Sequence, residues 1–128
     1  MQKQIEAVKL FHKSFKIGYS ETPISNLGEK KNQLRFDLMK EENEEYLEAV
    51  QSNNLIEIAD ALGDMLYILC GTIIEHGLQD KIVAVFDEIQ RSNMSKLDEN
   101  GNPIYREDGK VMKSNNYFKP DFSKILKP

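Results

Sequence analysis

The sequence predicts an all-α protein, a four- to five-helix antiparallel bundle with a short C-terminal β-hairpin and irregular extension. Three observations predict it. Residues 29–51 and 55–75 are long stretches without proline that carry apolar residues at helical spacing. The Ser52-Asn53-Asn54 turn between them is short, which makes the two helices antiparallel neighbours. Beyond about residue 97 the composition shifts to Gly, Pro, Asn and Asp, the residues of turns.

In chain order, Ile5, Val8, Phe11, His12 and Phe15 lie at helical spacing and predict a first helix over about 1–15. Residues 18–28 hold Pro23, Ser25 and Asn26 and read as a connecting loop. The second helix, 29–51, lacks both Gly and Pro. The third, 55–75, has Gly77 as its C-terminal stop. Asp80 is positioned to cap a fourth helix that reaches about Met94. Asp108-Gly109, between Ile104-Tyr105-Arg106 and Lys110-Val111-Met112, is a hairpin signal. Cys70, among Ile68, Leu69 and Ile73, reads as core packing, and His12 and His76 as ordinary surface or helix-end residues.

The chain has 128 residues, 40% of them hydrophobic and 30% charged, which suits one globular domain with a helical core over about 1–97 and a hairpin and tail over 98–128. Seventeen basic against 21 acidic residues give a net charge of −4, a poor basis for binding duplex nucleic acid or an anionic membrane. A single cysteine excludes an intramolecular disulfide and a cysteine-based zinc site. With no apolar run of membrane-spanning length and no signal-peptide core at its N-terminus, the chain is expected to be cytoplasmic.

The chemistry lies on the second and third helices. On the second, the stripe begun by Leu34 and Leu38 continues not with apolar residues but with Glu41 and Glu45, with Glu42 at its edge. On the third, Leu55, Ala59, Leu62, Leu66, Leu69 and Ile73 share one apolar face. Glu57, Asp60, Asp64, Tyr67 and Gly71 fall within roughly 80° of one another on the opposite side, by helical arithmetic. The short turn sets the two acidic stripes against each other. A Glu-rich run alone is most often a solvated face. Two facing runs of carboxylates repel unless a cation joins them, and hard divalent ions such as Mg²⁺ take oxygen ligands.

Other metal chemistries fit poorly. Neither His12 nor His76 follows a Glu by three residues, as a di-iron carboxylate bundle requires. The Asp98 loop starts like a calcium loop but has Pro103 and Gly109 where glycine and glutamate are needed. No glycine-rich phosphate loop is present.

Glu41-Glu42-Asn43-Glu44-Glu45 followed by Glu57-Ile58-Ala59-Asp60 resembles the Glu-Glu-x-x-Glu … Glu-x-x-Asp signature of the MazG-like, all-α nucleoside triphosphate pyrophosphohydrolases. The likeness covers roughly residues 1–96. The run from Phe86 to Lys96, and Arg106 to Lys113 leading into Asn116-Tyr117-Phe118, resemble the subgroup related to phosphoribosyl-ATP pyrophosphatases. The resemblance implies cleavage of a nucleoside triphosphate to a monophosphate and pyrophosphate by metal-activated water. It implies Mg²⁺, with Mn²⁺ as an alternative, held by Glu41, Glu42, Glu45, Glu57 and Asp60, with Asp64 auxiliary. A Glu-Leu-Gly-Asp register, as in some relatives, would instead place the aspartate at Asp64 and leave Ala61 where a glutamate belongs; Glu57/Asp60 is preferred. Glu42 or Glu45 would be the general base. Arg91, Lys96, Lys110 and Lys113 would hold phosphates, and Asn93 and Tyr117 would read base or sugar. A homodimer or homotetramer is implied, with the nucleotide near the subunit interface. The rival expectations are phosphoribosyl-ATP as substrate, a non-catalytic helical module whose acids bind a basic partner, and, last, a degenerate inactive site.

Overall fold

The computed structural model describes residues 1–127. It is all-α, with helices α1 (Gln2–Ser14), α2 (Glu29–Gln51), α3 (Leu55–Glu75) and α4 (Ile82–Met94), then strands β1 (Ile104–Tyr105) and β2 (Val111–Met112). The chain forms two compact units, Met1–Asp80 and the segment from Lys81 onward. Among the described residues, no helix is long and apolar enough to cross a membrane.

In the first unit α3 is the central helix, and both α2 and α1 pack on it. Local chemistry sets its ends. Asn53 adopts a left-handed conformation, φ +52°, directly after the Ser52 cap of α2. The Asn53 N–H then donates to Val50 O (3.1 Å) and the Asn54 N–H to Ala49 O (3.1 Å), which satisfies the open carbonyls of the last turn. Asn54 also caps α3, its side-chain oxygen accepting from the Glu57 N–H at 3.1 Å. One short asparagine turn therefore both closes α2 and opens α3. At the other end of α3, Gly77 at φ +69° supports the same closure, with Leu78 N–H donating to Ile73 O at 2.9 Å. Glycine is required there, because a Cβ would lie 2.0 Å from the Thr22 carbonyl oxygen. The loop before α2 straps this end of α3: Ser20 N–H donates to Ile74 O and Ile24 N–H to His76 O.

The antiparallel register of α2 on α3 is held by a buried cation. Arg35, only 9% exposed, donates from Nε to Thr72 Oγ1 (3.0 Å) and from Nη2 to Ile68 O (2.8 Å). Its Nη1 lies 3.2 Å from Glu75, whose buried carboxylate also meets Lys31 at 2.8 Å. Neither contact of Glu75 has hydrogen-bond alignment, so charge rather than directional bonding compensates its burial. Gly71 makes room for this arrangement: a Cβ there would lie 2.6 Å from Arg35 Nη2 and 2.9 Å from His12 Nε2.

Two expectations need correction. His12 is not a surface residue. It is 3% exposed, and its Nδ1 pairs with Gly18 O at 2.9 Å, because the last turn of α1 packs on α3. Asp80 does not cap α4; Lys81 precedes the helix and no side chain caps it. In α1, Ile5, Val8 and His12 face inward, while Phe15 is 66% exposed because α1 ends at Ser14. Cys70 is fully buried, and His76 stands at the end of α3.

In the second unit, β1 and β2 pair antiparallel, Ile104 opposite Met112, around Gly109 at φ +87°. Asp98 ties its own loop by accepting from Asn100 and Asn102 N–H groups. Ser92 donates to Phe118 O, and Ser114 to Ser95 O, fastening the tail to the end of α4.

Removing one member of a buried ion pair strands the other. Arg35→Leu is expected to lower unfolding free energy by about 3 kcal/mol, and the Arg35→Leu/Glu75→Leu double change to recover most of that loss. Urea denaturation of the three proteins measures it; a double change no more stable than the single one would refute the pairing.

Candidate functional site

With the register set at Arg35, the α3-facing side of α2 continues through Leu38 to acids. Glu42 follows Arg35 on the same face, and Glu45 follows one turn later. Asp64 stands opposite on α3. One carboxylate oxygen from each of Glu42, Glu45 and Asp64 falls within 4.8 Å of the others, close enough to share one metal ion. Glu42 and Asp64 are half-buried and Glu45 is exposed, so the cluster opens to solvent on one side.

The remaining acids surround this cluster. Glu45, Glu48, Glu57 and Asp60 line an open concavity of about 480 Å³ beside the interhelical turn. Glu41 lies with Asp37, Glu44 and Glu45 on a neighbouring shallow face. Glu45 thus belongs to the compact trio and to both flanking surfaces. The structure brings together Glu42, Glu45 and Asp64 most tightly, and places Glu57 and Asp60 along the adjoining wall.

Electrostatics single out Glu42. Its pKa is raised from 4.5 to about 7. Loss of solvent is the largest cause, followed by the Glu45 carboxylate, which favours a shared proton, and by the negative charges of Asp64 and Glu41. Glu42 Oε2 is buried and has no hydrogen-bond partner among the described residues. An orphaned buried carboxylate oxygen is costly unless a ligand satisfies it. The donor set fits a hard divalent cation: all oxygen, no sulfur or imidazole, and one oxygen free.

The predicted phosphate- and base-binding residues all lie in the second unit. Arg91 is bound by Glu88 through two contacts, 2.7 and 3.1 Å, and its guanidinium sits 4.3 Å from the centre of the Phe118 ring. Glu88 holds its own pKa below the usual range through that pair. Lys113 lies 4.8 Å over the ring of Tyr117, which is half-buried. Lys110 is exposed at the hairpin turn, Asn93 is exposed on α4, and Lys96 is half-buried just past its end. Sequence reasoning overlooked Arg35 and His12 around Gly71. The available signal was Arg35 itself, a basic residue seven positions before Glu42 and so on the same helical face.

Fold and centre together define an all-α protein with a carboxylate cluster suited to a metal ion. The sequence model of the family described as phosphoribosyl-ATP pyrophosphohydrolase matches residues 8–93, and the chain belongs to that family. A 38-residue segment is 58% identical to "Uncharacterized protein L479" of Acanthamoeba polyphaga mimivirus, covering 30% of this chain and 15% of that protein. The chain therefore matches about 15% of the length of this relative.

The raised pKa has a direct consequence for stability. Between about 4.5 and about 7 the folded chain holds a proton at Glu42 that the unfolded chain has released. In metal-free buffer Glu42 therefore contributes a loss of stability as pH rises through that window, complete above about pH 7. Glu42→Gln is expected to remove this slope in thermal melts with EDTA; parallel profiles for wild type and variant would contradict the assignment.

Proposed function

We propose that this protein is a Mg²⁺-dependent nucleotide pyrophosphohydrolase that cleaves a nucleoside triphosphate to a nucleoside monophosphate and pyrophosphate. The observation that carries the reading is the convergence of Glu42, Glu45 and Asp64 around an unpartnered buried oxygen, in a chain of this family. Bound divalent metal would neutralise phosphate charge and lower the pKa of a water nucleophile. Glu42, Glu45 and Asp64 hold the ion, with Glu57, Asp60 and Glu41 supplying further acidic surface beside Glu45. Glu45, exposed at the edge of the cluster, can orient a water and accept its proton. Glu42 loses its proton when the ion binds, so its raised pKa lets pH govern loading. Mn²⁺, with the same oxygen preference, is a substitute ion.

Family membership also supports a second reading, phosphoribosyl-ATP as the substrate. The same carboxylates serve either reaction, since both break the anhydride between the α and β phosphates. Arg91, Lys96, Lys110 and Lys113 remain the basic side chains proposed for phosphates, and Asn93 and Tyr117 those proposed for base or sugar. Engagement of Arg91 by a phosphate competes with its bidentate pair to Glu88.

A second copy of this chain is part of the proposal. Leu55, Leu62, Leu66 and Leu69 repeat along α3 at alternating spacing and are 76, 50, 43 and 45% exposed. Such a seam is the pattern by which helices pair. Leu62→Glu is expected to convert a dimer to a monomer in light scattering, and an unchanged mass would remove this face from the interface.

The test of the reaction is pyrophosphate release from a panel of canonical and deoxy nucleoside triphosphates and phosphoribosyl-ATP, with Mg²⁺ or EDTA. Metal-dependent release is expected, with Glu45→Gln and Asp64→Asn each reducing kcat at least about a hundredfold. Asp60→Asn in parallel separates the two registers: a loss at Asp60 and none at Asp64 would move the ion toward the turn. Folded wild-type protein that releases nothing, and is not stabilised by Mg²⁺, would favour a non-catalytic helical module.

A further inference from the structure

A cavity of about 310 Å³ lies directly behind the carboxylates in the same unit, and Glu42 and Asp64 form part of its wall. The rest of its lining changes character. Ile17, Leu38 and Ile68 make it apolar, and Phe11 and Tyr67 add two rings packed edge to face, centres 5.6 Å apart. His12 and Arg35 supply its other polar groups. A size near 300 Å³, mostly apolar walls and a few converging polar groups are the ordinary features of a small-molecule pocket.

Charge decides which part of a nucleotide fits. The Arg35 cation is already engaged by Glu75, Thr72 and the Ile68 carbonyl, so it offers little net attraction to a phosphate. The Glu42 and Asp64 wall repels an anion that is not screened by a metal. Phosphates therefore stay with the ion at the carboxylates, and the uncharged aromatic end of the molecule enters. Inside, the His12 tautomer is set by its neighbour: Gly18 O can only accept, so Nδ1 carries a proton, and in the neutral ring Nε2 is an acceptor. Arg35 has five N–H donors and uses two in hydrogen bonds within the fold. Nε2 and Nη2 both lie beside Gly71, within 2.9 Å of the position a Cβ would take. An acceptor and a donor side by side match the edge of a nucleobase, which presents the complementary pair.

We propose that this cavity binds the nucleobase, so that base selection is made by Phe11, His12, Arg35 and Tyr67 of the unit that carries the carboxylates, and of the two roles proposed above for Asn93 and Tyr117 only the sugar remains. This deepens the reading of the chain as a nucleotide pyrophosphohydrolase and rests on it. Gly71 is then a specificity position as well as a packing one: a side chain there would displace both the donor and the acceptor.

The test is an NMR titration of the ¹⁵N-labelled full chain, with Mg²⁺, against the nucleoside 5′-monophosphates and against ribose 5-phosphate, which has no base. At least one monophosphate is expected to shift the Phe11, His12 and Gly71 amides while ribose 5-phosphate leaves them in place. Equal shifts with ribose 5-phosphate, or no movement of these amides with any nucleotide, would overturn the proposal. Tyr67 is 42% exposed, so Tyr67→Ala should fold. It is expected to raise KM for the preferred nucleotide about tenfold with a smaller change in kcat, the loss of one aromatic contact. An unchanged KM would also overturn the proposal. Absence of pyrophosphate release by wild type counts against the reaction alone, because base binding is read independently by the amide shifts.

Discussion

The structure depends on one buried cation. Arg35 enters from α2, crosses above Gly71 and ends between Thr72, the Ile68 carbonyl and Glu75. Helix pairs with apolar contacts alone tolerate small slips, but a guanidinium held by a hydroxyl, a carbonyl and a carboxylate does not. Seven residues lead from Arg35 to Glu42 on α2, and seven lead back from Gly71 to Asp64 on α3. At about 1.5 Å per residue, both steps cover about 10.5 Å, so the clamp at one level brings the two acids together at the next. The asparagine turn at the far end completes the constraint, since Asn53 and Asn54 leave no slack between the helices.

The two ends of this interface are satisfied differently. Around Glu75 the negative charge is matched by Lys31 and Arg35, and the arrangement is complete within the chain. Among the described residues no ion pair reaches Glu42, Glu45 or Asp64, one Glu42 oxygen has no partner, and the Glu42 pKa is raised to about 7. Local departures from full polar satisfaction are where function is concentrated. The same helical face thus carries a compensated ion pair at one level and a cluster of carboxylates one heptad away.

Much of this was legible in the sequence. The bounds of α2 and α3 follow from uninterrupted helical spacing, the asparagine turn and the stop at Gly77, and the structure has them at the same residues. The hairpin follows from Asp108-Gly109 between short apolar runs. The end of α1 was less legible, because Lys16 adopts φ +58° and no sequence signal marks a lysine for that conformation. The start of α4 was misleading, since Asp80 is a good capping residue that the chain does not use. The two acidic helices were evident, but their closest trio was not. A helical wheel gives the direction in which Glu57, Asp60 and Asp64 point, and all three point alike. Which of them meets Glu42 depends on axial register, and that is set by Arg35, whose role appears only once Gly71 and Glu75 are placed beside it. His12 was overlooked for a related reason: burial of a helix-end histidine depends on what packs over it.

Glu42, Glu45 and Asp64 are proposed to form one cation site. A crystal structure of the protein grown with Mn²⁺, with anomalous data collected for manganese, tests it most directly. An anomalous peak bonded to oxygens of those three residues is expected. A peak held by Glu57 and Asp60 away from Glu42, or an ordered cluster with no peak at saturating Mn²⁺, would contradict it.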